Sequence, residues 1–184
     1  MSHAAPGAGE EWRKYGMLPV AAMFGYSVSV IHIYGINPYI LPVTAEFGWT
    51  RAQFTGAFTF AILMQAVFAV PVGILVDRFG SRKVILYGAV IFGAGFCSFW
   101  VLTPSIWHFY AAYLLTAFGG ASLTSIPFAT TIANWFTYRR GIALGIMGVG
   151  VFLGGMYAPP LVTYIIDVAG WREAYVTLGI LVWV

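Results

Sequence analysis

The sequence predicts an all-α membrane protein whose chain crosses a bilayer several times. Of its 184 residues, 60% are hydrophobic and only 8% are charged, whereas a soluble domain is about one-quarter charged. Because so few charged residues cannot cover the surface of a water-soluble protein, we expect most of this protein's surface to face lipid. The aromatic fraction of 18%, with 7 Trp and 11 Tyr, suits side chains that anchor a protein at two membrane–water interfaces.

Six apolar segments follow a short N-terminal tail. A spanning helix needs about 20 mostly apolar residues, and lipid allows no unpaired backbone groups, so these segments are predicted to be helical. The sixth has 11 residues, or roughly 16 Å of helix, which is too short to cross a bilayer. We therefore expect the chain to stop inside its sixth helix. The tail covers residues 1–15, and the bundle of residues 16–184 has segments at 16–43, 54–76, 84–102, 106–136, 142–166 and 174–184.

The basic residues predict the orientation of these segments. If the N-terminus is cytoplasmic, seven of the nine Lys and Arg residues lie inside, as the positive-inside rule requires, whereas the acidic residues divide equally. The sequence therefore predicts a multi-pass protein of a cell membrane, either an inner or a plasma membrane. The inner residues are Arg13, Lys14, Arg78, Arg82, Lys83, Arg139 and Arg140, and the outer ones are Arg51 and Arg172.

Two connections share the pattern D-x-x-G-x-R. One runs from Asp77 to Arg82 and the other from Asp167 to Arg172, an offset of 90 residues, and Pro71 and Pro160 recur at nearly the same offset. Since the two sets of three helices would start from opposite sides, this predicts a three-plus-three inverted repeat, an arrangement found in secondary transporters. The alternative is a chance match of three letters.

The stretch Gly73–Lys83 reads GILVDRFGSRK and resembles the loop between helices two and three of the major facilitator superfamily, with Ser81 in one basic position. The resemblance implies a gate between two six-helix halves, of which this chain is the N-terminal one and the C-terminal half is a missing partner. Glycine allows a helix to approach closely, and a carboxylate can face a helix N-terminus. The alternative is a solvated turn. The gate residues implied here are Gly73, Asp77, Arg78, Gly80 and Arg82.

A second stretch, Asn134–Gly145, resembles the start of helix five in monocarboxylate and oxalate/formate carriers, and it adds Arg139 and Arg140 to the gate set. Two outer loops, Phe47–Ala52 and Gly170–Ala174, are similar to those of the same group. The acidic-Gly-Gly-Trp opening of animal monocarboxylate carriers is absent. So is the helix-four Arg common in drug/proton exchangers, which counts against a drug exporter.

Polar side chains within the spans are the candidates for solute binding, because buried polar groups in membranes often mark a pathway. Tyr34 and Asn37 lie on one helical face, near the position where the resembled carriers place a substrate or proton residue. His32 lies on nearly the opposite side of the helix, about 140–160° away from both, and is the second choice; its alternative is a neutral imidazole bonded to a neighbouring helix. Ser125 and Tyr157 complete the candidate set. A hydroxyl can instead simply hydrogen-bond between helices.

The sequence shows no Walker loop, no H-E-x-x-H motif and no Cys/His metal cluster, so we expect no enzyme activity, no cofactor and no metal. The net charge of +3 follows the membrane sidedness and does not indicate a nucleic-acid partner. The prediction is a secondary transporter of small organic anions, monocarboxylate-like, that works by alternating access on a solute or proton gradient. Its alternatives are a carrier of a neutral or amphiphilic solute and a transport-inactive receptor of the same fold.

Overall fold

A computed structural model describes residues 8–183; residues 1–7 of the expected tail and Val184 lie outside the described part. The described chain is helical almost throughout, with a short 3-10 turn at Phe99–Val101 after the sixth helix. Its α-helices are α1 (Ala8–Tyr15), α2 (Met17–Ser29), α3 (Ile31–Tyr34), α4 (Asn37–Phe47), α5 (Arg51–Phe79), α6 (Ser81–Ser98), α7 (Ile106–Ala121), α8 (Ser125–Trp135), α9 (Arg140–Ala169) and α10 (Trp171–Trp183).

Within residues 8–183, five helical stretches are long and apolar enough to cross a membrane. Large apolar side chains cover much of the exterior: Phe152 and Trp107, for example, are both 78% exposed. A soluble protein rarely exposes so many large apolar side chains, and the long apolar helices confirm the predicted fold class. The five stretches are Met17–Tyr34, Arg51–Phe79, Ser81–Val101, Ile106–Trp135 and Arg140–Ala169.

Two of these spans are interrupted. The first, expected as one helix over residues 16–43, is divided into α2, α3 and α4 and reaches Phe47. The fourth, expected over 106–136, is divided into α7 and α8. A proline follows each main break within the first turn of the next helix, Pro38 in α4 and Pro127 in α8. Its ring collides with the carbonyl four residues earlier, so the preceding helix cannot continue without a break or kink.

The two D-x-x-G-x-R connections have the same backbone geometry. Gly80 joins α5 to α6 with φ 84° and ψ 147°, and Gly170 joins α9 to α10 with φ 103° and ψ 167°. Each donates its N–H to the carbonyl four residues earlier at 2.9 Å, to Val76 and Ile166 respectively. Only glycine adopts this positive φ readily. The two preceding helices have 29 and 30 residues, so the repeat predicted from three letters extends to complete helices.

Glycines set the closest helix contacts. α2 packs along α9, and a Cβ on Gly154 would lie 2.5 Å from the carbonyl oxygen of Ser27, while one on Gly150 would overlap the carbonyl of Met23. α10 meets α6 in the same way, since a Cβ on Gly179 would lie 2.8 Å from the carbonyl oxygen of Gly93. Such contacts let backbones approach closely and maximise van der Waals attraction in lipid.

Replacing Gly154 by Val should destabilise the bundle, because the added methyl groups would overlap α2 and force it away from α9. Overpacking of this kind costs about 1–3 kcal/mol. Thermal unfolding of the purified protein in detergent would measure the loss as a lower Tm. Gly148→Val is the matched control on the same helix, since a Cβ there meets nothing within 4 Å. Equal losses in both variants would contradict the assigned contact.

Candidate solute-binding face and gate

Tyr34 and Asn37 flank the break between α3 and α4, and both are exposed. Tyr34 is 42% exposed and lies near the middle of the first span. Its ring lies over Gly155 of α9, where a Cβ would be 3.5 Å from the ring. The first two predicted site residues therefore stand on either side of one break, and Tyr34 lies beside α9.

Tyr157 of α9 contacts α2 rather than this break. Its hydroxyl lies 3.3 Å from the hydroxyl of Ser27, which is 2% exposed and also donates to the carbonyl of Phe24 at 2.8 Å. Tyr157 thus takes part in the contact between α2 and α9. Ser125 begins α8 at the break in the fourth span and is exposed, and within the described residues no hydrogen bond joins it to the other candidates.

His32 points away from this face and into the bundle. Its Nδ1 lies 2.7 Å from the carbonyl oxygen of Ser29, and its ring meets Phe92 edge-on with centroids 5.1 Å apart. Since a carbonyl only accepts, Nδ1 carries the proton and Nε2 of the neutral ring remains an acceptor. The ring borders a cavity of about 10 Å³, which Gln65 and Tyr113 also line. That volume is about enough for one water molecule, and too small for a solute.

The predicted gate residues lie at the opposite end of the bundle from Glu46 and Arg172. Asp77, Arg78, Arg82, Arg139 and Arg140 are all exposed. In residues 8–183 the single ion pair joins Glu46 and Arg172, so Asp77 contacts no cation of the described chain. A Cβ on Gly73 would meet nothing within 4 Å, so the close neighbour expected there is not part of the described residues.

Ser81 makes a contact between helices that the sequence interpretation did not predict. It occupies a position where the family motif has a basic residue. Its hydroxyl accepts a hydrogen bond of 2.7 Å from the hydroxyl of Thr131. This bond connects the start of α6 to α8. The pair lies 50 residues apart in the chain, and no local signal in the sequence indicates it.

Glu11 is the second such residue, since it was assigned to a tail and proves to be 4% exposed. Its carboxylate accepts the backbone N–H groups of Thr137 at 3.1 Å and Tyr138 at 3.2 Å, directly before α9. The aromatic rings of Trp12 and Phe136 meet edge-on at 5.3 Å beside it. The carboxylate thereby holds the turn that carries two of the predicted gate arginines.

An ion pair joins α4 to α10 at the other end of the bundle. Arg172 donates two hydrogen bonds to Glu46, at 2.6 and 2.9 Å, and the indole N–H of Trp171 donates a third at 2.8 Å. The guanidinium also lies over the Trp171 ring at 4.1 Å. Hydrogen bonding from Arg172 lowers the pKa of the Glu46 carboxyl below its ordinary value, and the same contact raises the pKa of Arg172.

Comparison with known proteins decides the family. The family model of the Major Facilitator Superfamily matches residues 22–184. The chain belongs to this superfamily. It is 30% identical to monocarboxylate transporter 11 of Mus musculus over 90% of its length, and 30% identical to the oxalate:formate antiporter of Oxalobacter formigenes over 80%. Over 79% of its length, the chain is also 30% identical to a chloramphenicol resistance protein of Acinetobacter baumannii.

The chain spans about a third of the length of these relatives, 37%, 35% and 35% respectively. The resemblance to monocarboxylate and oxalate/formate carriers is confirmed, as is the all-α fold of the superfamily's N-terminal half. The first two relatives are named as transporters rather than as enzymes. Five apolar spans within this family make the chain an integral membrane protein.

Replacing Glu46 by Gln should lower the Tm at neutral pH, because a neutral amide loses the ionic part of the contact with Arg172. The effect is modest, about 0.2–1 kcal/mol, since the pair is partly exposed. A carboxyl whose pKa is lowered by folding stabilises the protein above its unfolded pKa and loses that stabilisation as the pH falls through the lowered value. The wild-type and Gln variants should therefore converge in Tm below about pH 4.

Thermal unfolding of the purified protein between pH 3 and pH 8 would measure this convergence. Asp167→Asn is the matched control at the same end of the bundle, since Asp167 is exposed and belongs to no ion pair of the described chain. A Tm difference between wild type and E46Q that stays constant over this range would contradict the assigned charge contact.

Proposed function

We propose that the whole protein is a secondary transporter of small organic anions, monocarboxylate-like, which works by alternating access driven by a solute or proton gradient. The names of two relatives, a monocarboxylate transporter and an oxalate:formate antiporter, support the substrate class. The proposed orientation has the N-terminus in the cytoplasm, because seven of nine basic residues then lie inside.

The observation that carries the proposal is the pair of interrupted spans. Transporters of this kind bind solutes where broken helices leave backbone and polar groups available. The break before α4 lies about 27 Å from the start of α2, and the break before α8 about 26 Å from the start of α7, at 1.5 Å per residue. The first span, Met17 to Phe47, and the fourth, Ile106 to Trp135, are each about 45 Å long at this rise. Each break therefore lies a little beyond the middle of its span, and we expect the two breaks to lie at similar depth.

Tyr34 and Asn37 at the first break are the proposed solute ligands. A phenol hydroxyl and a side-chain amide both donate hydrogen bonds that a carboxylate accepts. Ser125 at the second break and Tyr157 on α9 have supporting roles in this proposal. His32 ranks below them, because its ring faces the bundle interior in this conformation.

The cation that balances a carboxylate must come from elsewhere in the whole protein. All nine Lys and Arg residues of the chain lie in the tail or at the ends of the helices and their connections, and an unpaired anion at membrane depth is costly. We therefore expect a buried Arg or Lys in the second six-helix half. The residues of this chain would supply hydrogen bonds and shape.

The gate proposal concerns the cytoplasmic side. Asp77, Arg78 and Arg82 would bind carboxylates or helix ends of the second half when the transporter faces outward, and Arg139 and Arg140 would do so beside them. Gly73 would allow a helix of that half to approach closely, and Gly80 fixes the connection. The exposed, unpaired state of Asp77 in the described chain supports this assignment.

One observation favours a second candidate, a carrier of a neutral or amphiphilic solute. The described spans hold no Lys or Arg at membrane depth, and one relative is named for chloramphenicol resistance. A transport-inactive receptor of the same fold is the third possibility. Counterflow of labelled carboxylates into proteoliposomes separates the first proposal from both, because only an anion carrier exchanges them.

Tyr34→Phe and Asn37→Ala should each weaken solute binding, since each removes a hydrogen bond to a charged group. Such bonds contribute about 1.5–3 kcal/mol, or roughly 10–100-fold in affinity. Concentration-dependent counterflow would measure the change as a higher half-saturation concentration. Tyr164→Phe is the control, because Tyr164 lies on the face of α9 opposite Gly155. A normal half-saturation concentration in both site variants would refute the assignment.

Asp77→Asn should impair transport while leaving expression and Tm close to those of the wild type, because it removes a charge that acts between the two halves. Initial uptake rates in proteoliposomes, normalised to inserted protein, would measure this. Asp167→Asn changes the matching position of the repeat on the other side of the membrane. If D77N transports with wild-type kinetics, or if D167N is equally impaired, the cytoplasmic gate role is wrong.

A further inference from the structure

A groove of about 400 Å³ runs between α5 and α6 at the gate end of the bundle. Val72 and Val84 form its buried base, at 3% and 7% exposure. Gly88 lies over Ser122, the residue that follows α7, so closely that a Cβ on the glycine would overlap the serine side chain. The walls are Leu75 and Phe79 on one side and Lys83, Tyr87 and Ile91 on the other.

The groove opens away from two other surfaces of the chain: the face of α5 that is proposed to meet the second half, and the face of α6 that packs against α10. On α5, Leu75 points about 160° away from both Gly73 and Asp77, the residues proposed to meet the second half. On α6, Tyr87 points about 160° away from Ala89, whose carbonyl accepts a hydrogen bond from Trp183 of α10. Tyr87 is 70% exposed. In a membrane, this opening faces lipid.

The length and charge of the groove fit one leaflet. From Lys83 to Ile91 the helix rises about 12 Å, whereas one leaflet contributes roughly half of a 30 Å hydrocarbon core. The groove therefore begins at the interface and ends near the midplane. Lys83 stands at its interfacial end, exposed and in no ion pair of residues 8–183, and no acidic side chain lines the groove.

We propose that this groove binds an anionic phospholipid, with one acyl chain along the apolar walls and its phosphate at the ammonium group of Lys83. A lysine at a helix end extends its charge to the headgroup level while its methylenes cover apolar surface. Basic pockets between spanning helices on the cytoplasmic side bind anionic headgroups. In the orientation proposed above, the lipid comes from the cytoplasmic leaflet.

The charge at Lys83 distinguishes this lipid from the bulk bilayer. Any acyl chain fills the apolar part of the groove, so a zwitterionic lipid gains the same hydrophobic contact. A zwitterionic headgroup carries a positive group beside its phosphate, which offsets the attraction to Lys83, whereas an anionic headgroup keeps that attraction. One such charge corresponds to about a fivefold preference. The site is therefore defined by selectivity for headgroup charge.

Native mass spectrometry of the purified protein tests the proposal directly. The protein is mixed with phosphatidylglycerol and phosphatidylcholine of identical acyl chains, and the retained adducts of each are counted. The wild type should retain phosphatidylglycerol about fivefold over phosphatidylcholine. K83Q should lose this preference and K83R should keep it. L75W should reduce retention of both lipids, because the indole fills the groove without changing charge.

Lys14→Gln is the matched control, with the same charge change on the same side but outside the groove. If K14Q loses as much selectivity as K83Q, the attraction is diffuse and the proposed site is wrong. The proposal is also overturned if K83Q retains wild-type selectivity, or if the wild type retains neither lipid because another protein segment covers the groove. The Tm of each variant, measured in parallel, excludes a loss of lipid through unfolding.

Discussion

Hydrocarbon offers no hydrogen-bond partner to a peptide group, and this constraint governs the whole molecule. It makes every apolar segment helical, and it tolerates irregular backbone only where protein or a polar cavity surrounds it. The breaks before α4 and α8 would therefore be costly if they faced lipid. In transporters such breaks line solute-binding sites. Tyr34 and Asn37 occur at the first break and Ser125 at the second, so the same constraint that shapes the fold marks the proposed solute site.

The same solvent removes the hydrophobic effect as a force between helices, so close packing has to take its place. Gly150 and Gly154 bring α9 onto the backbone of α2, and Gly93 and Gly179 bring α6 and α10 together. These contacts hold the first and second halves of the repeat against each other. The proposed rocking mechanism requires a bundle whose helices are held together in this way, so that they move as one body.

The two ends of the bundle differ in how their charges are used. At one end Glu46, Trp171 and Arg172 form a closed network that ties α4 to α10. At the other end the carboxylate of Glu11 accepts hydrogen bonds from backbone N–H groups. Asp77, at the same end, contacts no cation of residues 8–183. An exposed charge without an ion-pair partner in the described chain favours an interface with another part of the whole protein. This is the basis of the proposed gate.

The sequence by itself determined the membrane class, the approximate positions of the apolar helices and the repeat, because composition, length and the spacing of glycine and proline act locally along the chain. It also placed His32 and Tyr34 on opposite faces, since helical periodicity is local. Only the tertiary structure decided that Glu11 is buried and that Glu46 meets Arg172, 126 residues away in the chain. Such contacts depend on how distant helices pack, and no local pattern of residues specifies which pair will meet.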